Sequence, residues 1–294
     1  MNTKSTVSKS LLAAVEQERP LQIVGVINAY CALLAEHAGF KALYLSGAGV
    51  ANASYGLPDL GLTTLDNVLE DVRRITTVSK LPLLVDADTG FGDPAETTRL
   101  LISAGAAGLH LEDQISDKRC GHRPNKRLVP LDEMVARIRE AVNAAQGTDF
   151  VVMARSDAIA VEGFDAAMLR IQAYIDAGAQ MIFPEAVSCL EDYVSIAHQV
   201  KVPILANITE FGKTPLFTRD QLAEANIAIA LYPLTAFRML SAAALDAYET
   251  LRQSGTQASL IERMQTRQQL YEHLDYHRYE QALDERLAKD ESEK

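Results

Sequence analysis

The feature that most narrows the fold is a rhythm. A short apolar run, a polar break and an amphipathic helix recur along the chain. The runs lie at Leu21–Ile27, Ala42–Ser46, Leu81–Asp88, Ala107–Asp113, Phe150–Asp157, Met181–Glu185, Val202–Thr209 and Asn226–Tyr232. Strands apolar on both faces belong to a parallel sheet covered by helices. Several intervening helices stop at a glycine, as at Gly39, Gly105 and Gly178, the usual left-handed terminator. From the third run to the seventh, each ends in a polar or ionisable residue. In a (β/α)8 barrel the active site sits at that end. A doubly wound sheet is the alternative, but it commonly carries a glycine-rich first loop, and Asn28-Ala29-Tyr30 is not one. The pattern predicts a TIM-type barrel over residues 1–233, with a lead-in helix at Val7–Glu18. A C-terminal helical segment over 234–294 follows. In it Phe237, Leu240, Ala244, Tyr248 and Leu251 recur at helical spacing, an apolar stripe in need of cover.

Charge and cysteines exclude several functions. The net charge of −11 leaves no basic footprint for nucleic acid, although an acidic protein can still carry a local pocket for an anionic substrate. No apolar run is long enough for a membrane span, and the first residues lack a secretory pattern. Cys31, Cys120 and Cys189 are scattered and odd in number, which fits neither a disulfide framework nor a zinc motif and suits a cytoplasmic setting.

The chemistry gathers at the strand ends. Asp86 and Asp88 close the third run two residues apart, so strand alternation points both the same way. Paired carboxylates in apolar surroundings call for a cation, and an all-oxygen donor set favours Mg²⁺ or Mn²⁺ over zinc. The competing reading has Asp88 capping the next turn. After the fourth run, Cys120 stands among Lys118, Arg119 and His122, a cationic setting that lowers a thiol pKa. Arg155 ends the fifth run as either a carboxylate clamp or a barrel-mouth salt bridge. Ser46-Gly47-Ala48-Gly49 is either a tight turn or a cradle of N–H groups for an anion.

Taken together, LPLLVDADTGFG, AGLHLEDQ, KRCGHRPNK, VVMARSDA, ILANITEFGKTPLFT and ALYPLTAFR resemble the isocitrate lyase and phosphoenolpyruvate mutase superfamily, in its methylisocitrate-cleaving branch. The likeness spans roughly Pro20 to Leu287. It implies a Mg²⁺-dependent carbon–carbon lyase that splits 2-methylisocitrate into pyruvate and succinate, within the methylcitrate cycle of propionate catabolism. Isocitrate cleavage or another superfamily reaction such as oxaloacetate decarboxylation is the alternative.

The resemblance also assigns roles. Asp86 and Asp88 would hold the metal, Glu112 would sit near its waters, and Asp59 would help position that side. Ser46, Gly47 and Ala48 would bind the α-carboxylate and hydroxyl end of the substrate. Cys120 would be the catalytic acid/base, with Lys118, Gly121 and His122 shaping its loop. Arg155, Glu185, Asn207, Thr209 and Arg238 would line the pocket, with Arg155 neutralising a carboxylate on the succinate half. Members of this kind are homotetramers that exchange a C-terminal helix. One departure stands out: Ala48 replaces a usual glycine, and its methyl is tolerable only if φ stays negative. A Schiff-base aldolase is disfavoured, because no lysine stands on the inner face of a strand end.

Overall fold

The computed structural model describes residues 10–116 and 125–292. Its eight strands are β1 (Leu21–Gly25), β2 (Ala42–Leu45), β3 (Leu83–Asp86), β4 (Gly108–Glu112), β5 (Val151–Ser156), β6 (Met181–Pro184), β7 (Leu205–Asn207) and β8 (Ile229–Tyr232). All are parallel, in the order β6-β5-β4-β3-β2-β1-β8-β7. The two edges meet through an Ile182–Ile204 bridge, with Ile182 N–H donating to Pro203 O at 3.0 Å. The result is a nearly closed barrel. The strands are shorter than the apolar runs, because the run ends leave the ladder for the loops.

The barrel helices are α1 (Leu11–Gln17), α2 (Ala29–His37), α3 (Gly47–Gly49), α4 (Leu65–Val78), α5 (Pro94–Ser103), α6 (Leu131–Ala145), α7 (Ile159–Glu162), α8 (Phe164–Asp176), α9 (Leu190–Gln199) and α10 (Arg219–Glu224). Side chains start several of them. Thr64 and Asn67 form a capping box on α4, and Asp93 caps α5 with Pro94 at its first position. Ser46-Gly47-Ala48-Gly49 is no plain turn: it starts α3, which runs into a π-helical turn at Val50–Ser54. Ala48 is not among the residues of positive φ, so its methyl is accommodated.

Two apolar clusters follow from strand alternation. Outward side chains such as Leu43, Val85, Leu109, Val152 and Ile182 pack under the helices. Inward side chains including Ile23, Tyr44, Leu84, Met153, Phe183, Leu205 and Leu231 fill the barrel. Leu11, Ala14 and Val15 of α1 belong to the inner cluster, so the lead-in helix is a plug. Each large apolar side chain buried there contributes about 1.5–3 kcal/mol. Along most strands the inward positions turn polar toward the C-terminal end: Leu84 is followed by Asp86, Met153 by Arg155, Phe183 by Glu185 and Leu205 by Asn207.

The chain divides into two compact units, one ending at Arg238 and one starting at Met239. Helix α11 (Thr235–Ser254) crosses that point. The second unit continues through a 3-10 turn (Ala258–Arg263), α12 (Arg267–Leu274) and α13 (Tyr276–Ser292). Asp275, left-handed at φ 51°, separates α12 from α13, and Tyr271 stacks on Tyr276 at 4.1 Å. Among the described residues no helix is long and apolar enough to cross a membrane.

Closure of the barrel makes a testable demand. A Cβ on Gly25 would lie 1.7 Å from Pro233 O, and backbone on that side has no rotamer to yield. Gly25→Ala should cost about 3 kcal/mol, read as a lowered denaturant midpoint. An unchanged midpoint would show that β1 and the end of β8 do not pack this closely.

Candidate active site

At the C-terminal mouth, Asp86 is held by several donors. Gly47 N–H reaches its Oδ2 at 3.0 Å, Tyr44 OH reaches the same oxygen at 3.4 Å, and Asp88 N–H reaches Oδ1 at 3.1 Å. The N–H of the small-residue segment is thus committed to a protein carboxylate. Asp88 gets there differently from the expected alternation. The strand ends at Asp86, and Asp88 turns left-handed at φ 48°. Both carboxylates still face one point: a Cβ on Gly47 would lie 3.1 Å from Asp86 Oδ2 and 3.2 Å from Asp88 Oδ1. Among the described residues no three His, Cys, Asp or Glu side chains form a closed cage. Two buried carboxylates with other positions left to water and substrate fit Mg²⁺, which keeps much of its hydration.

Beneath them, Tyr44 OH lies 2.8 Å from His110 Nε2, the rings stacked, and His110 sits edge-on to Phe183. Burial, and then the charge of Asp86, push the Tyr44 phenol well above its ordinary range, so it remains a donor.

Across the mouth, Arg155 is surrounded by acids. Its Nε donates to Asp157 Oδ2 at 3.0 Å; Nη1 faces Glu112 at 3.3 Å and Nη2 faces Glu185 at 3.4 Å. Its guanidinium lies over Phe183, 5.2 Å from the ring centre. Burial works against its charge, but Asp157, Glu112, Glu185 and Asp86 outweigh burial and push its pKa well above the ordinary value. Asn207 Nδ2 donates to Glu185 Oε2 at 3.3 Å, and Thr209 is buried nearby in sequence at the end of β7.

The structure therefore brings Gly47, Asp86 and Asp88 together on one side, and Glu112, Arg155, Glu185 and Asn207 on the other. Ser46 is buried at the start of α3, and Ala48 is half-buried beside it. Asp59 is half-buried in the loop after the π-helical turn. Arg238 is exposed; it pairs with Glu210 at 3.5 Å and lies over Phe211. Lys118, Cys120, Gly121 and His122 lie outside the described residues. Sequence reasoning missed Lys126. It reaches the mouth from a loop, not from a strand, and its Nζ donates to Asp157 Oδ1 at 2.6 Å. Its place shortly after KRCGH was the only available signal.

The family model for phosphoenolpyruvate phosphomutase matches residues 11–252. A 2-methylisocitrate lyase of Escherichia coli is 60% identical over 285 residues, covering 96% of each chain. One from Aeropyrum pernix is 45% identical, covering 87% of this chain and 83% of its own. Among solved structures, 2,3-dimethylmalate lyase superposes with TM-score 0.86 at 35% identity, covering 93% of this chain and 94% of its own. Oxaloacetate acetylhydrolase, in complex with 3,3-difluorooxalacetate, reaches 0.87 at 31%, covering 94% and 95%.

A buried acid underlies the Arg155 side. Asp113 accepts from Asp157 N–H at 2.8 Å, Ser156 Oγ at 2.8 Å and Tyr174 OH at 2.9 Å. Burial, then the charge of Asp157, raise its pKa against those bonds. A carboxyl raised on folding adds stability below its unfolded pKa, near ~3.9, and loses it as pH climbs through the folded value. Stability relative to Asp113→Asn should therefore fall from about pH 4 toward neutrality, measured by denaturant titration at several pH values. Parallel pH curves for the two proteins would contradict this.

Proposed function

The chain belongs to the phosphoenolpyruvate phosphomutase family, within the superfamily that includes isocitrate lyase, and from that membership and its site we infer a carbon–carbon lyase that cleaves 2-methylisocitrate to pyruvate and succinate. The observation that carries the reading is the division of the mouth into a carboxylate pair on one side and a buried arginine on the other. An anionic substrate with a hydroxyl at one end and a carboxylate at the other spans such a mouth. Its place is the methylcitrate cycle of propionate catabolism, in the cytoplasm.

Asp86 and Asp88 would hold Mg²⁺ or Mn²⁺, with Glu112 near its waters and Asp59 supporting that side. When bound, the ion lowers the pKa of the substrate hydroxyl. Ser46 and Ala48 would hold the hydroxyl and α-carboxylate end, with Gly47, whose N–H is bonded to Asp86, beside it. As the hydroxyl proton passes to a base, Glu112 or a water beside it, the C2–C3 bond breaks, pyruvate forms, and the bonding pair moves onto the succinate half. Arg155 faces the carboxylate that shares this charge, with Glu185, Asn207, Thr209 and Arg238 completing the pocket. Cys120 gives its thiol proton to the carbanion carbon, a general-acid step, and Lys118, Gly121 and His122 shape its surroundings. Isocitrate differs from the substrate by one methyl, worth about 1–3 kcal/mol in an apolar niche. Phe183, Pro233 and Tyr44 are the candidate lining.

The test is a side-by-side assay of 2-methylisocitrate, isocitrate and oxaloacetate with Mg²⁺, reading pyruvate and glyoxylate. The expected preference for the methylated substrate in kcat/KM is about tenfold or more. Chelation should abolish turnover and Mg²⁺ restore it. Glyoxylate release from isocitrate at equal efficiency would overturn the assignment, and full activity after verified metal removal would overturn the metal's role.

We further propose a homotetramer in which C-terminal helices are exchanged. Supporting it, Met239, Leu240, Leu245, Tyr248 and Leu251 of α11 are all exposed, apolar side chains on one helix of the kind that a subunit contact covers. Light scattering should give a tetramer, or at least a dimer; a monodisperse monomer at working concentration would refute it.

A further inference from the structure

Asp157 is fully buried and shared between two cations. Lys126 Nζ donates to its Oδ1 at 2.6 Å, while Arg155 Nε donates to Oδ2 at 3.0 Å and Nη2 reaches Oδ1 at 3.4 Å. The side chains of Lys126, Asp157 and Arg155 are 2%, 0% and 9% exposed. Asp157 is fixed from behind as well, because its N–H donates to Asp113 Oδ1 and the neighbouring Ser156 hydroxyl donates to Asp113 Oδ2. The contacts from Arg155 to Glu112 and Glu185, at 3.3 and 3.4 Å, are longer than its Nε contact. The Nε–Nη2 edge of the guanidinium is therefore gripped by Asp157, with Glu112 beside Nη1 and Glu185 beside Nη2.

We propose that Asp157 is a positioning residue for Arg155 and that Lys126 is its counter-charge. Asp157 sets the guanidinium plane by taking the Nε–Nη2 edge, which leaves the Nη1 end, beside Glu112, to meet a substrate carboxylate. An arginine paired with one aspartate alone has no net charge with which to attract an anion. Lys126 offsets the charge of Asp157, so the grip on Arg155 adds no net negative charge to that of Glu112 and Glu185. Removing one member leaves a buried charge unpaired and endangers the fold, whereas replacing both with neutral groups of similar volume is tolerated. The inference rests on the reading of Arg155 as the group that meets the succinate-half carboxylate.

The experiment compares the native chain with Lys126→Met/Asp157→Asn, Lys126→Arg and Arg155→Lys. It measures melting temperature, turnover of 2-methylisocitrate, and inhibition by succinate and by pyruvate. In the double variant the melting temperature should stay near that of the native chain. Succinate inhibition should weaken about tenfold or more, the scale of one mis-aimed charged hydrogen bond. Inhibition by pyruvate, which binds on the Asp86 and Asp88 side, should stay within about twofold. Lys126→Arg, which keeps the charge, should recover most of the succinate inhibition. Native succinate inhibition in the folded double variant would overturn the proposal, as would equal loss for both products. The Arg155→Lys chain leaves Lys126 and Asp157 intact. Unaltered succinate inhibition there would remove Arg155 from carboxylate binding, and with it the basis of the inference, a failure distinct from the other two.

Discussion

Carboxylates carried into a barrel mouth have to be met by N–H donors or cations, since an uncompensated buried charge costs several kcal/mol. Most of the local structure on this face answers that demand. Asp86 takes donors from Gly47, Tyr44 and Asp88, Asp113 takes three of its own, and Glu112, Asp157 and Glu185 converge on Arg155. The small residues after β2 make sense in the same terms. Gly47 has no side chain because a Cβ would crowd both Asp86 and Asp88, and its N–H is needed there.

The lower half of the barrel faces no such demand. Its inward positions are apolar and closed by α1, so its side chains contribute through burial. The transition occurs within single strands: Met153 packs in the inner cluster, and two residues on Arg155 meets three acids. A period of two lets one strand serve stability at one end and charge at the other, on the same face.

How much of this was legible in the sequence depends on the range of the interaction. The barrel was legible because apolar runs and helix periodicity are local signals, and caps such as Thr64 and Asp93 sit where side-chain chemistry puts them. Asp86 and Arg155 could be placed because they end strands whose alternation was readable. Asp88 converged as expected but for another reason, a left-handed backbone that no spacing rule reveals. The Ser46–Gly49 segment was read as a turn or anion cradle; its helical start and its bond to Asp86 depend on β3, distant in sequence. Lys126 was not singled out, although it ends the KRCGHRPNK motif, because a loop residue has no periodicity to fix its direction; the Asp157 partner does so. The C-terminal segment was read as helical over 234–294, but the break between α12 and α13 at Asp275, in the left-handed region, had no sequence signal of its own.

Backbone strain is distributed unevenly between the two ends. Where α2 and α8 finish and lead into the next strand, the left-handed residue is Gly39 or Gly178, which adopts that conformation at no steric cost. Where β3, β6 and β7 open into the mouth, Asp88, Phe91, Ala186 and Phe211 are left-handed, besides Gly90 and Gly92. A side chain in that region costs about 1–2 kcal/mol, and it persists only where the surroundings over-determine it. Those surroundings are on hand. Asp88 N–H is bonded to Asp86 Oδ1 and Asp88 O accepts from Glu112 N–H, while Ala186 N–H is bonded to Glu185 Oε1. Carboxylates that crowd the mouth thus hold the strained turns at Asp88 and Ala186 in place. Neutralising one of them would loosen the backbone as well as remove a charge, so substitutions at this face should not be read as the loss of a single contact.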